Sequence, residues 1–282
     1  MRNKLALGTA QFGLNYGITN QNGQVKIKEA IKILDLAKNN GIYTIDTSAN
    51  YGNSEQVLGE VGVNDCQIIT KTIPLKGDVN TVIDSFYQSL KKLNIEQVEG
   101  LLIHNFDDIK SKNFDLLFKR LNEFKKEDIV KKIGFSTYTP EQIDFLLENF
   151  DFDLIQLPFN VFDVRLIEGG QLQTLKNKRI EVHARSVFLQ GVLLDFYHDS
   201  NHFITWQEQF KKYQVVVKES GMSLLEYALN FVLNIQEIDK VLVGVNSEVQ
   251  LDEIMQSVKK SVSLESYPID DINLLNPSLW KI

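Results

Sequence analysis

Cysteine is nearly absent. Cys66 is the only one in 282 residues, so no disulfide can form within the chain, and a reducing compartment suits it. Long apolar runs are missing as well. No segment approaches the roughly 18 continuous apolar residues of a membrane-spanning helix, and the opening "MRNKLALGTAQ" has too short an apolar stretch for a secretory signal, with Gly8 soon interrupting it. Positive charge is in deficit: 30 basic against 37 acidic residues leave a net charge of −7, which disfavours nucleic acid or an anionic membrane as partner. Four histidines and one cysteine form no compact zinc-binding pattern, so no metal is expected. There is no Pro/Ser-rich linker and no low-complexity tract. These absences leave a soluble, cytoplasmic chain forming one domain over 1–282, and a hydrophobic fraction of 43% gives it enough apolar material for a large core.

What is present is a repeated alternation. Short β-branched or apolar runs occur at 4–9, 42–47, 67–72, 98–104, 131–136, 152–157, 180–185 and 239–244. Helical periods lie between them, at about 27–41, 53–61, 78–92, 114–127, 140–149, 168–177, 205–219, 223–234 and 248–260. In the first of these, Ile27, Ala30, Ile31, Leu34 and Ala37 are expected on one buried face, with Gly41 as the stop. In "NSEQ", Asn53 and Gln56 have the spacing of a capping box. Strand–helix alternation implies a parallel sheet, because a crossover must carry the chain back each time. Eight such units suit an α/β (β/α)8 TIM barrel, with an open doubly wound sheet as the rival.

A barrel of this kind gathers the C-terminal strand ends at one rim, where active sites are built. Those ends carry Gln11, Asp46, Lys71, His104, Ser136, Gln156 and Arg185. Tyr51 follows five residues after Asp46. A phenol with an ordinary pKa near ~10 is a poor acid at neutral pH. A neighbouring ammonium lowers that value, a carboxylate holds the ammonium, and a histidine can hydrogen-bond and orient a substrate oxygen. Singly, Asp46 and Lys71 also read as a structural ion pair, Tyr51 as packing and His104 as a core histidine. Their joint placement after three successive strands points to proton handling.

The stretch "DTSANYGNSEQVLG" resembles the Asp-Thr-Ala-x-x-Tyr-Gly-x-Ser-Glu-x-x-x-Gly signature of the aldo/keto reductase superfamily, with Ser48 in the alanine position. "ITKT", "LLIHNFD", "KKIGFSTY" and "LIQLPFN" resemble further family segments in the same order. The resemblance implies a barrel that binds NADP(H) or NAD(H) across its strand ends without a Rossmann domain, and reduces a small carbonyl to an alcohol or runs the reverse. By position it makes Tyr51 the general acid, with Lys71 tuning it, Asp46 supporting Lys71 and His104 orienting the carbonyl. Gly8, Thr9, Ala10 and Asp46 are assigned to the cofactor as well. Ser136 and Gln156 match positions that hold the nicotinamide carboxamide, and Thr137 replaces an asparagine there, so its hydroxyl is a candidate substitute.

Arg185 stands where relatives carry an aromatic residue; it either stacks on the nicotinamide or binds an anionic substrate. Ser186, Phe188, Gln190 and Gly191 are placed along the pyrophosphate. Gly244, Val245, Asn246, Gln250 and Glu253 are placed at the adenosine end, with phosphate near the helix start at Asn246, Ser247 and Glu248. Gln250 and Gly244 occupy positions where many NADP-preferring relatives have basic residues, which weakens an NADP assignment. Phe12, Asn50, Asn105 and Phe106 are candidate residues at the pocket mouth; of these Phe12 and Asn105, with Tyr51 and His104, are assigned to the substrate. Asn160 reads as a brace for the loop after strand six. Another class of function shares these features: a nicotinamide-binding regulatory or redox-sensing protein with little turnover. The physiological substrate, the reaction direction and the oligomeric state are not legible.

Overall fold

The structure is a computed structural model that describes residues 1–196, 201–259 and 262–280. Its strands are β1 (Leu5–Gly8), β2 (Thr44–Asp46), β3 (Gln67–Lys71), β4 (Val98–Ile103), β5 (Val130–Ser136), β6 (Leu154–Pro158), β7 (Glu181–Arg185) and β8 (Lys240–Gly244). Each is parallel to the next, and β8 pairs with β1 through Leu5–Val241 and Gly8–Gly244, closing the barrel. The open-sheet rival is thereby excluded.

The alternation of side chains along each strand separates two apolar regions. Ile69, Leu102 and Leu154 meet inside the barrel, while the outward residues, such as Leu7, Ile45, Leu101 and Val182, pack beneath the helices. Polar groups close the N-terminal end: Lys132 bridges Glu99 at 2.7 Å and Glu181 at 2.6 Å. Glu181 in turn meets Nε2 of the buried His183 at 2.7 Å.

Helix starts follow local chemistry. Asp78 caps Val79–Leu93 by accepting from the amides of Asn80 and Thr81. Thr139 caps Pro140–Asn149, with proline at the first turn where no N–H is needed. Ser223 and Glu226 form a full capping box on Leu224–Leu233. Three expectations shift. In Ile27–Asn39 the buried stripe is Ala30, Ile33, Leu34 and Ala37, whereas Ile27 and Ile31 are exposed, because the helix docks with the i, i+3, i+4, i+7 set starting at Ala30. Asn53 makes no side-chain cap; its amide oxygen accepts instead from Gln24 Nε2 at 2.7 Å. The helix expected over 168–177 is two, Arg165–Glu168 and Gln171–Asn177, parted by Gly170 in the left-handed region at φ 77°. The final period runs over Glu248–Gln256, and residue 260 of the expected span lies outside the described residues. No helix among the described residues is long and apolar enough to cross a membrane.

Candidate active site

The strand ends converge on a cavity of about 430 Å³, within the usual range for small-ligand sites. Asp46, at the end of β2, and Lys71, at the end of β3, lie beneath it. Lys71 Nζ donates to Asp46 Oδ1 at 2.7 Å, to Asp46 Oδ2 at 2.8 Å and to the Thr47 carbonyl at 2.7 Å. Both side chains are almost fully buried, at 1% and 4% exposure. An ammonium has three protons, so Lys71 has none left to give Tyr51. It acts on the phenol through space, with Nζ 4.8 Å from the ring centroid. Burial pulls the Lys71 ammonium down, and the Asp46 charge opposes that pull.

Tyr51 therefore departs from the expected tuning. Burial raises the phenol above its usual value, the Asp46 carboxylate adds to the rise, and the Arg185 guanidinium works against it. The nearby Lys71 does not make a low-pKa phenol in the resting site, because burial, and after it the Asp46 carboxylate, favours the neutral hydroxyl. Tyr51 holds its proton at neutral pH. Its hydroxyl makes no hydrogen bond to a described residue and lies in the cavity wall.

His104, directly after β4, stands edge-on to Tyr51, with ring centroids 6.1 Å apart and planes at 85°. Its Nδ1 lies 3.2 Å from both Ser48 Oγ and Asn50 Nδ2. The Asn50 amide nitrogen is a donor, and Ser48 Oγ already accepts from the Asn50 backbone N–H at 3.1 Å. Assigned from this network, Nδ1 is the acceptor, and the ring proton sits on Nε2. Burial, then the Lys71 and Arg185 cations, pull the imidazole down to about 3. Because this value lies below the unfolded one, folding favours the neutral ring. The His104 contribution is complete above an unfolded pKa of about 6.5 and is lost as the pH falls from there toward the folded value. In histidine NMR, His104 is expected to remain a neutral Nε2–H tautomer down to pH 5; protonation near pH 6.5 would contradict this environment.

On the opposite wall, Gln156 in β6 donates from Nε2 to Asp46 Oδ2 at 2.7 Å. Its carbonyl oxygen is left as an acceptor beside the Ser136 hydroxyl, and both residues line the cavity. An acceptor next to a hydroxyl fits a carboxamide, which presents N–H donors and a carbonyl. Thr137 is not part of this cradle. It is fully buried, its Oγ1 has no partner among the described residues, and it does not line the cavity.

Arg185, at the end of β7, lies with its guanidinium carbon 4.2 Å from the Tyr138 ring centroid. It donates to the Thr137 carbonyl at 2.9 Å and to Ser186 Oγ at 3.3 Å. The chain then bends sharply: Ser186 has φ 58°, Gln190 φ 54° and Gly191 φ 102°. A Cβ on Gly191 would fall 2.3 Å from Thr19 Oγ1, so only glycine lets this loop meet the 14–25 segment.

The placements are as follows. Gly8, Thr9, Ala10, Asp46, Ser136, Gln156, Arg185, Ser186, Phe188, Gln190, Gly191, Gly244, Val245, Asn246, Gln250 and Glu253 all line the one cavity, as do Tyr51 and His104. Phe12 does not; its ring is fully buried in the core, because the turn Ala10–Gly13 aims it inward. Asn105 does not either. It caps the short turn Phe106–Lys110, accepting from the Asp107 amide and donating to Asp108. Phe106 packs on Phe145. Asn160 braces the loop after β6, accepting from the Phe162 amide and donating to the Ser186 carbonyl.

Sequence reasoning missed Tyr16, Gly17, Thr19 and Asn20, which form a cavity wall from a Gly/Asn-rich loop, and the part Ser48 plays on His104. It also missed Tyr138, although that residue closes the quoted "KKIGFSTY". Among the described residues no cluster of three or more His, Cys, Asp or Glu is placed to hold a metal.

A model of the aldo/keto reductase family matches residues 4–276. Among curated proteins the chain is 24% identical to the aldo-keto reductase YhdN of Bacillus subtilis, over 96% of this chain and 89% of that protein. It is 25% identical to the L-galactose dehydrogenase of Arabidopsis thaliana, over 92% and 85%. It is 26% identical to the glyoxal reductase of B. subtilis over 59% of this chain, and that match spans 61% of the relative's length. Among solved structures, the holo form of the aldo-keto reductase AKR11C1 from Bacillus halodurans shares the fold with a TM-score of 0.74 at 18% identity, covering 92% of this chain and 87% of that one. The glycerol dehydrogenase AKR11B4 from Gluconobacter oxydans shares it with a TM-score of 0.72 at 22% identity, covering 92% and 88%.

Proposed function

The chain belongs to the aldo/keto reductase family, a family of oxidoreductases, and on that premise we propose that it interconverts a small carbonyl and its alcohol with a nicotinamide dinucleotide as redox partner. The observation that carries the reading is that two proton donors, the protonated phenol of Tyr51 and the neutral imidazole of His104 with its proton assigned to Nε2, line one cavity with their rings 6.1 Å apart. A carbonyl oxygen between them gains a hydrogen bond from each.

When bound, a reduced nicotinamide would supply the hydride for the carbonyl carbon, losing a C–H bond and ending oxidised. Tyr51 would give its proton to the carbonyl oxygen, completing the alcohol O–H as the C=O π bond is lost and leaving a phenolate. His104 keeps its proton and orients the oxygen, because Ser48 and Asn50 hold the opposite ring nitrogen. Lys71 lies under the ring and offsets the charge that grows on the phenolate, and Asp46 keeps the ammonium in place. Ser136 and the Gln156 carbonyl are the groups that would hold the carboxamide. The names of the relatives, glyoxal reductase and L-galactose dehydrogenase, support a small aldehyde, ketone or sugar-like substrate.

The test is to mix the purified protein with NADH or NADPH and a panel of such carbonyls, following the dihydronicotinamide absorbance. Carbonyl-dependent oxidation is expected. Tight nucleotide binding without turnover on any carbonyl would sink the reductase reading and favour a redox-sensing role.

A further inference from the structure

The choice between the two nicotinamide dinucleotides turns on the wall beyond β8, where Gly244, Asn246, Gln250 and Glu253 line the cavity. NADP(H) differs from NAD(H) by a 2′-phosphate, which needs free N–H donors and a cation to replace its water. Three backbone donors around the start of the helix Glu248–Gln256 are engaged. The Asn246 N–H donates to Gln250 Oε1 at 2.7 Å, and the Gln250 N–H donates to Ser247 Oγ at 3.2 Å. The Glu248 N–H donates to Glu29 Oε1 at 2.8 Å.

The last of these bonds is the most telling. Glu29 comes from the first turn of Ile27–Asn39, far away in sequence, and its carboxylate sits at the mouth of Glu248–Gln256. A helix N-terminus attracts one anion well; here the protein supplies that anion itself. The bond holds the Glu29 carboxyl below its usual range, and Lys32 is paired with the other carboxylate oxygen at 3.3 Å. Glu253 adds a further carboxylate to the wall.

The cation is lacking too. Arg185 is the only Lys or Arg among the described residues lining the cavity, and it is held toward Tyr138 and Thr137 on the β5 side.

Resting on the reductase reading above, we infer that this chain selects NAD(H) and rejects NADP(H). Glu29 and Gln250 are the specificity residues: Gln250, in the cavity wall, takes the Asn246 N–H, and Glu29, just outside the lining, takes the Glu248 N–H and sets a carboxylate at the helix start. Rejection by an occupied anion site is selection against the wrong partner rather than extra affinity for the right one.

The experiment is calorimetric titration of the cofactor-stripped full chain with NADH and NADPH at low salt, repeated with Glu29→Ala/Gln250→Arg. The wild type is expected to bind NADH at least about tenfold more tightly than NADPH, which corresponds to ~1.4 kcal/mol. In the double variant NADPH affinity should rise by about tenfold or more while NADH affinity changes little, because a guanidinium and a freed N–H now meet the phosphate. NADPH binding as tight as NADH in the wild type overturns the inference alone. An unchanged NADPH affinity in the double variant overturns the assignment to Glu29 and Gln250. Binding of neither nucleotide by folded protein overturns the inference and the reductase reading together.

Discussion

Tyr51→Phe is expected to lower kcat by roughly 10²–10⁴-fold, the usual contribution of a positioned general acid, while nucleotide affinity and thermal stability stay close to wild type. The stability arm follows from the site. The Tyr51 hydroxyl makes no hydrogen bond to a described residue, so removing it strands no buried partner, and the ring retains its contacts with Lys71 and His104. The kinetic arm follows from the proton: no other group at this point both carries one and can release it. His104 keeps its Nε2 proton because protonated imidazole is strongly disfavoured there, so it cannot readily be recharged from Nδ1 to act as an acid. Steady-state kinetics with the preferred nucleotide, beside a binding titration, decides the matter. Unchanged turnover would remove Tyr51 from the acid role, and lost binding would show that the ring serves the cofactor.

Lys71→Met is expected to cost about 3–5 kcal/mol of stability, the usual penalty for stranding one member of a buried pair, and to abolish most turnover. Asp46 would keep only the hydrogen bond from Gln156 Nε2 on Oδ2, with its side chain 4% exposed. For a chain of this size, that loss lowers the melting temperature by on the order of 10 °C. Since activity falls either way, the informative comparison is Lys71→Met with Asp46→Asn in the same chain. If the pair is coupled as the geometry states, the double variant is less destabilised than the sum of the two singles. Strict additivity in thermal or denaturant melts would mean that each group is held independently of the other.

Some of this is legible in the sequence itself. Gly41 as a helix stop and the succession of β-branched runs are local signals, read from neighbours in the chain, whereas the capping box expected at Asn53 and Gln56 is found instead at Ser223 and Glu226. "DTSANYG" and "ITKT" place Asp46 and Lys71 at the ends of adjacent strands, and parallel pairing then brings them together, as the Asp46–Ile69 register requires. Phe12 was misplaced because a short apolar stretch beside a strand end does not reveal which way a four-residue turn points its side chains. The stripe of the first long helix was offset because hydrophobic period fits several rotations, and only docking selects one.

Order and period along the chain thus determined the eight strand–helix units and the identity of the polar groups at the strand ends, because each rests on residues close in sequence; closure into a barrel was decided by the pairing of β8 with β1. The tertiary structure alone decided what those groups do. Tyr51 retains its proton because burial, and then the Asp46 carboxylate, disfavours the phenolate. His104 presents Nε2–H because Ser48 and Asn50, more than fifty positions away, hold Nδ1. Glu29 fills an anion site 219 residues further on. Proton state, tautomer and the filling of a helix start depend on local fields and on filled hydrogen-bonding positions, and these exist only once distant segments share one end of the barrel.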